Sequence, residues 1–382
     1  MNHPVGVLRE FCRESETFNT IAQYAYLYLY RPPSYWTRHA GALETIRYSS
    51  ASPVRVAFLC DEMTWLDFSG YCDAIFLRPD IWRKQLTDFS PDLFFCESAW
   101  SGIPPFEGCW RGRVYKNRFV RFENRRELLG ILDYCRSENI LTVFWNKEDP
   151  AFFAHERYGF TDTALRFDRI LTISEECVPR YKSLGCDNVD VLPFGVNTDM
   201  FHPRAETPIP GTAIFAGSWF GDQPQRCKDL SAILDYAISR NWRLDIYDRH
   251  SDSPEPRFRF PAKYRPYLHN AVPFKQLPDL ASRYEWALNV NTVTNSRTAY
   301  SRRIPQMLAC GAKVLSNSSR GAERIPGSRN IFLDGVGNAL EIVCDFEILQ
   351  SFCSAQRLFS DFLKSSLSQM APTEKEGKIR LS

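Results

Sequence analysis

"FWNKEDPAFF", residues 144–153, is the stretch on which the organisation of the chain turns. The apolar run that leads into it, residues 140–144, reads as a buried strand. Pro150 bars that strand from continuing. Residues 146–149 therefore sit at a strand's carboxyl end, in the turn before a helix. In open α/β sheets that edge is where ligands bind. The stretch is either a ligand-facing loop or an ordinary strand-to-helix turn, because Asp and Pro also start helices.

Strands and helices alternate on either side of it. Residues 54–60, 93–96, 170–173 and 189–192 read as strands, and 81–89, 126–138, 152–165 and 177–184 as helices. That alternation implies a parallel sheet. "FHPRAETPIPG", 201–211, carries three prolines and reads as a linker. The alternation then restarts, with strands at 213–216, 244–247, 286–291, 313–316 and 330–333. Helices are expected at 226–238, 278–284 and 301–309, the last stopped by Gly311. The expected organisation is a helical extension over 1–52, broken at Pro32 and Pro33, and a first Rossmann-like lobe over 53–203. A second follows over 204–345, then a C-terminal helix and mobile tail over 346–382. The fold class is α/β, two Rossmann-like lobes with a central cleft where small-molecule sites form.

Composition agrees with this and narrows the function. The 382 residues suit about two domains. A net charge of +2 gives no global field for nucleic acid. The 12 cysteines are scattered without metal or redox spacing. They read as buried free thiols in a reducing, cytoplasmic setting. Residues 1–10 hold no signal-peptide core, and no apolar run is long enough to span a bilayer. "YAYLYLY", 24–30, leaves peripheral membrane contact open.

The second lobe concentrates donors at its strand ends. "FAGSWFGDQPQR", 215–226, places Gly217 and Ser218 where backbone N–H groups can approach a phosphate. Arg226 follows at the start of a helix and suits bidentate pairing with a diphosphate. "DIYDRH", 245–250, ends another strand with Asp248 and Arg249. "NVNTVTNSRTAYSRR", 289–303, brings Asn291, Ser296, Thr298, Arg302 and Arg303 toward a helix start, a natural anion site. A Gly turn, solvated arginines and a plain connector would account for each segment singly. Together they suggest a nucleoside diphosphate. The absence of a Walker A sequence and of GxGxxG disfavours a P-loop enzyme or a dehydrogenase.

"FFCESAW", "FWNKEDPAFF", "FAGSWF…PQR", "IYDR", "LNVNTVTNS", "SRR" and "LACGAKVLSN" occur in an order and spacing that resembles the CgeB-like (spore-maturation-protein-like) glycosyltransferases of the GT-B fold. The resemblance runs from about residue 54 to 333. It implies transfer of a sugar from a nucleotide-sugar donor, with UDP-sugar the expected co-substrate, to a hydroxyl acceptor such as a glycan or cell-surface polysaccharide. It places the donor diphosphate against Gly217, Ser218 and Arg226, with Ser296, Thr298 and Arg302 flanking it. It places the nucleobase by the backbone near Val272 and Phe274. One departure is plain: where related enzymes carry a Glu for the ribose hydroxyls, this chain has Gln306, a neutral and weaker partner.

Under that reading "WNKEDP" faces the cleft from the acceptor lobe. An inverting transfer needs a base. Four carboxylates at predicted strand ends qualify: Glu148, Asp149, Glu97 in "CESAW" and Asp61 in "CDEMT". Lys147 would lower the pKa of whichever carboxylate it touches. His155 is a further candidate. No metal-ligand constellation is visible, and no bound cofactor is expected. "RGRVYKNRFVRFENRR", 111–126, holds seven Lys/Arg and reads as a solvated loop or as a surface for an anionic acceptor, a membrane or nucleic acid. The alternatives are a phage-type enzyme acting on modified DNA bases, a nucleotide-sugar epimerase or phosphorylase, and a non-catalytic sugar-binding protein.

Overall fold

The computed structural model describes residues 16–30, 45–50, 54–334 and 337–368. The first lobe contains β1 (Ile46–Tyr48), β2 (Arg55–Leu59), β3 (Asp73–Phe76), β4 (Leu93–Glu97), β5 (Lys116–Asn117), β6 (Leu141–Asn146), β7 (Tyr158–Gly159), β8 (Arg169–Thr172) and β9 (Val189–Val191). Seven of them form one sheet in the order β1-β3-β2-β4-β6-β8-β9, and β5 and β7 pair separately. Only β1 runs antiparallel in the large sheet. Strands buried on both faces must be apolar almost throughout. "LFFCE" in β4 meets that demand, with every residue buried, Glu97 included.

The second lobe contains β10 (Ile209–Gly217), β11 (Arg243–Asp248), β12 (Leu268–His269), β13 (Tyr284–Asn289), β14 (Lys313–Asn317), β15 (Ser328–Leu333) and β16 (Gly337–Ile342). Their order is β12-β11-β10-β13-β14-β16-β15, parallel from β12 to β14 and antiparallel beyond. This is the α/β arrangement of two lobes, each on a largely parallel sheet, that the sequence leads one to expect.

The chain finally returns to where it began. Helix Phe346–Cys353 gives Leu349 and Cys353 to the second core. Helix Ala355–Ser368 packs on the first lobe, where the Phe359 ring stacks on Phe68 at 4.4 Å. The crossover is tight. A Cβ on Gly195 would lie 2.9 Å from Ala355 Cα, so that position is restricted to glycine.

Two expected helices need correction, and the expected linker at 201–211 ends earlier, because β10 begins at Ile209. No helix spans 152–165: turns run to residue 157, followed by β7 and the short helix Phe160–Ala164. The reason is local. His155 Nδ1 accepts the N–H groups of Arg157 and Tyr158 and so turns the chain away, and β7 then pairs with β5. The helix expected at 278–284 is confined to Leu277–Ala281, because Tyr284 already belongs to β13. The expected mobile tail falls at 369–382, outside the described residues. So does most of the 1–52 extension, of which helix Glu16–Tyr24, the π-helical turn Ala25–Tyr30 and residues 45–50 are described; the last hold β1, which pairs with β3, so the expected wholly helical extension is corrected there.

Candidate functional site

Parallel pairing determines which side chains meet. Leu59 is level with Cys96, and Glu97 with Trp145, so Asp61, Glu97 and Lys147 emerge side by side at the carboxyl edge of the first sheet. Lys147 Nζ lies 3.0 Å from Asp61 Oδ2 and 3.0 Å from Glu97 Oε1. The backbone N–H of Asp61 donates to Glu97, as does the Thr64 hydroxyl. Asp61 also accepts the N–H groups of Trp100, Ser101 and Gly102 at 2.8–3.0 Å. Burial alone would raise the Asp61 pKa. The Lys147 ammonium and those amides outweigh it and hold the group below the usual carboxylate range.

Asp149 is equally committed. It is 1% exposed and accepts from Asn146, Thr172 and Tyr181 at 2.9, 2.7 and 3.1 Å. Burial still raises its pKa to about 7 against those donors. Glu148 differs. It is half-buried, and the Trp100 indole, 2.8 Å from Oε1, is its one side-chain hydrogen-bond donor among the described residues. Burial, helped by the charges of Asp61 and Glu97, raises its pKa against the pull of Lys147 and Trp100.

Across the cleft the second lobe presents cations. Gly217 and Asp248, the last residues of β10 and β11, are level, and the Arg249 N–H donates to Gly217 O at 3.0 Å. Arg226 is buried, donates to Ser218 O at 3.0 Å and lies over the Phe220 ring. Arg303 donates to Ala216 O at 2.7 Å and to Asn289 Oδ1 at 3.1 Å. Among the described residues none of these three guanidinium groups has a carboxylate in ion-pair reach. Burial, and then mutual repulsion, lowers Arg226 to about 10 and Arg303 to about 9. Arg249 is lowered mainly by its protein surroundings, against the opposing charges of Glu148 and Asp61 from the first lobe. Gly217 makes room for this cluster, since a Cβ there would stand 2.4 Å from Arg303 Nη2. Ser218 Oγ and Gln306 Nε2 are buried on the same lobe with no protein partner among the described residues.

The loop after β13 ties the lobes together. Ser296 Oγ donates to Glu176 at 2.6 Å, Thr298 Oγ1 donates to Ile173 O and accepts from Glu175 N, and Tyr300 Oη donates to Phe194 O. Arg302 is buried at the same junction, 3.8 Å from Asp67 and over the Phe194 ring. Burial raises Asp67 to about 6 despite that cation. Asn291 is buried and organises the loop: its Nδ2 donates to Ser316, and its Oδ1 accepts from Ser301 N. Val272 and Phe274 border a short 3-10 turn, where Phe274 packs on Phe201. Sequence reading passed over Trp100 and Thr64. Nothing in their local pattern marks them, because their partners Glu148 and Glu97 are distant in the chain.

Every described cysteine is a free thiol. Among the described residues no group of three or more His, Cys, Asp or Glu is placed to hold a metal ion, and no helix is long and apolar enough to cross a membrane.

No family model matches the chain, and no curated protein matches it. Solved structures do. The chain is similar to an alpha-glucosyltransferase in complex with UDP and a 13-mer DNA containing an HMU base, at 8% identity, covering 82% of this chain and 91% of that one, with a TM-score of 0.47. It is similar to the UDP-GlcNAc 2-epimerase from Neisseria meningitidis bound to UDP-GlcNAc, at 10% identity over 82% and 100% of the two chains, TM-score 0.42. A glycosyltransferase from Rickettsia africae overlaps at 11% identity over 72% and 81%, TM-score 0.39.

Proposed function

We propose that this chain is a nucleotide-sugar-dependent glycosyltransferase, with a UDP-sugar as donor and a glycan hydroxyl as acceptor, and that it is CgeB-like. The observation that carries the proposal is the trio Arg226, Arg249 and Arg303. Three guanidinium groups gather at one sheet edge, with no carboxylate in ion-pair reach among the described residues, and the charge of Arg249 helps to lower the pKa of both Arg226 and Arg303. Such an arrangement suits a diphosphate, whose oxygens accept bidentate bonds from Arg. The buried donors Ser218 Oγ and Gln306 Nε2 fit a ligand rich in acceptors.

In an inverting transfer Glu148 takes the proton of the acceptor hydroxyl. That oxygen forms a bond to the anomeric carbon, and the bond from that carbon to the diphosphate oxygen breaks. The electron pair leaves with the nucleoside diphosphate, whose added charge the three arginines stabilise. Asp61, Glu97 and Asp149 are less suited to the role, because internal donors already occupy them. Lys147 and Trp100 act by holding the carboxylate edge in place.

The test is a thermal-shift screen of the purified chain against UDP, GDP, dTDP, ADP and CMP, with Arg249→Ala in parallel. Ligand binding to the native state raises the melting temperature by mass action. A rise with one nucleotide, reduced in the variant, is expected. No rise with any of them would overturn the donor site.

A further inference from the structure

The basic run at 111–126 divides into two sets in the structure. Arg113 is buried against Glu127 at 3.0 Å, Arg125 against Asp162 at 2.7 Å, and Lys116 lies 3.6 Å from Glu123. Those cations hold the loop together. Arg118 is exposed and Arg157, on the paired strap, is half-buried. Neither has a carboxylate in ion-pair reach among the described residues. The two are brought together because the Arg118 N–H donates to Arg157 O at 3.0 Å, next to the β5–β7 pair. Arg157 lies over the rings of Phe119 and Tyr158, and its Nε is buried with no protein partner among the described residues. A buried donor without a partner is costly unless a ligand completes it.

This strap is contiguous with the acceptor side of the cleft. Glu148 is bonded to the Trp100 indole, Trp100 packs edge-on to Tyr158 at 5.2 Å, and Tyr158 lies 4.7 Å from His155. His155 in turn accepts an Arg118 hydrogen bond through its carbonyl. Half-buried aromatic rings thus lead from Glu148 to two unpaired arginines. Aromatic faces beside Arg suit sugar rings that carry anionic groups.

We infer that the acceptor of this chain is an anionic glycan, its carboxylate or phosphate groups read by Arg118 and Arg157 beside the Trp100–Tyr158–His155 ring cluster. The inference rests on the transferase reading for the word acceptor; the binding surface stands without it. A nucleic-acid strand is disfavoured by the same residues. It needs a basic track that neutralises several phosphates, and here four cations of the run, Arg113, Lys116, Arg125 and Arg126, are already paired with Glu127, Glu123 and Asp162.

The experiment measures direct binding by the full chain, without donor. The probes are a fluorescent hexagalacturonate (carboxylates), a phosphorylated mannohexaose (phosphates), neutral mannohexaose and single-stranded DNA. At least one anionic glycan is expected to bind about tenfold or more tightly than the neutral one, as charge-assisted Arg contacts imply, and which one it is names the anion. Arg118→Ser and Arg157→Gln should each remove most of that preference while leaving any nucleotide-induced melting shift unchanged. Arg118 is exposed, so its variant keeps the test valid should Arg157→Gln fold poorly. Equal binding of neutral and anionic glycans, preference unchanged in both variants, or tightest binding to DNA would each overturn the inference. A missing nucleotide shift in the wild type would instead count against the donor site.

Discussion

Lys147 and Glu97 meet at the carboxyl edge of the first sheet, with Nζ 3.0 Å from Oε1, and the same ammonium stands 3.0 Å from Asp61. One cation therefore serves two carboxylates in a nearly water-free position. Removing one partner of a buried pair strands the other charge, which costs ~3–5 kcal/mol. Lys147→Met is expected to lose about that much stability in urea unfolding at neutral pH. The pH dependence has a definite sign. Asp61 is depressed below its unfolded value, so its contribution is complete above about pH 4 and disappears as pH falls through the folded pKa. Wild-type protein should lose that stability on acidification, and Lys147→Met should lose less. Equal stability of the two proteins at neutral pH would show that the pair is not buried as described.

Asp149 works in the opposite direction. Its folded pKa is raised to about 7 by burial. Between the unfolded value near 4 and that figure the native state holds the extra proton, so stability falls as pH rises through the window. At about 1.4 kcal/mol per pKa unit the total is on the order of 4 kcal/mol. Asp149→Asn keeps the shape and an acceptor for Asn146 while abolishing the titration. Its unfolding free energy should decline less steeply than the wild-type value between pH 4 and 7, retaining the part that comes from Asp67, whose pKa burial raises to about 6. An unchanged slope would assign the titration to another group, Asp67 being the next candidate, with its pKa raised to about 6.

Gly217 gives a test confined to the second lobe. A Cβ at this position would meet Arg303 Nη2 at 2.4 Å and the Phe215 ring at 2.8 Å. Gly217→Ala should push Arg303 from the Ala216 carbonyl and disperse the guanidinium trio. Overpacking of this kind costs roughly 1–3 kcal/mol. The nucleotide-induced melting shift should fall by more than the apo melting temperature does. A variant that melts lower yet keeps the full shift would separate Arg303 from ligand binding.

Much of the architecture was legible because parallel sheets leave a simple mark. β2, β4 and β6 are apolar runs that lead to the polar residues Asp61, Glu97 and Asn146, and the expected bounds of each fall within one or two residues of those observed. The misses have identifiable causes. β3 is four residues long and follows the turn Ser69–Tyr71 directly, too short a segment for periodicity to register. β7 owes its place to β5, some forty positions earlier, which no local pattern reveals. Among the site residues, strand-end position was readable, but the use to which each group is put was not. Ser296, Thr298 and Arg302 look like donors for an anion in sequence, yet among the described residues they bond to backbone, carboxylate and hydroxyl groups of the first lobe. Pairing across more than 100 residues is a tertiary property. The four carboxylates were equivalent in sequence for the same reason, and only their hydrogen-bond partners distinguish Glu148.

That distinction leads to a kinetic test. Glu148 has a raised pKa, one indole donor and the field of Arg249 facing it. A base with these surroundings is active when ionised, so the acid limb of the rate profile should lie above the ordinary Glu range near 4.3. Glu148→Gln retains an acceptor for Trp100 but cannot take a proton. Once donor and acceptor are in hand, its kcat should fall by about 10²–10⁴, the usual weight of a general base. KM for the donor should change little, because the arginines proposed to hold it are untouched. Trp100→Phe, which keeps an aromatic ring but removes the indole N–H donor, should shift the acid limb upward, since the lost hydrogen bond favours the ionised carboxylate. If Glu148→Gln turns over at the wild-type rate, proton removal lies elsewhere and the elimination of Asp61, Glu97 and Asp149 must be reopened.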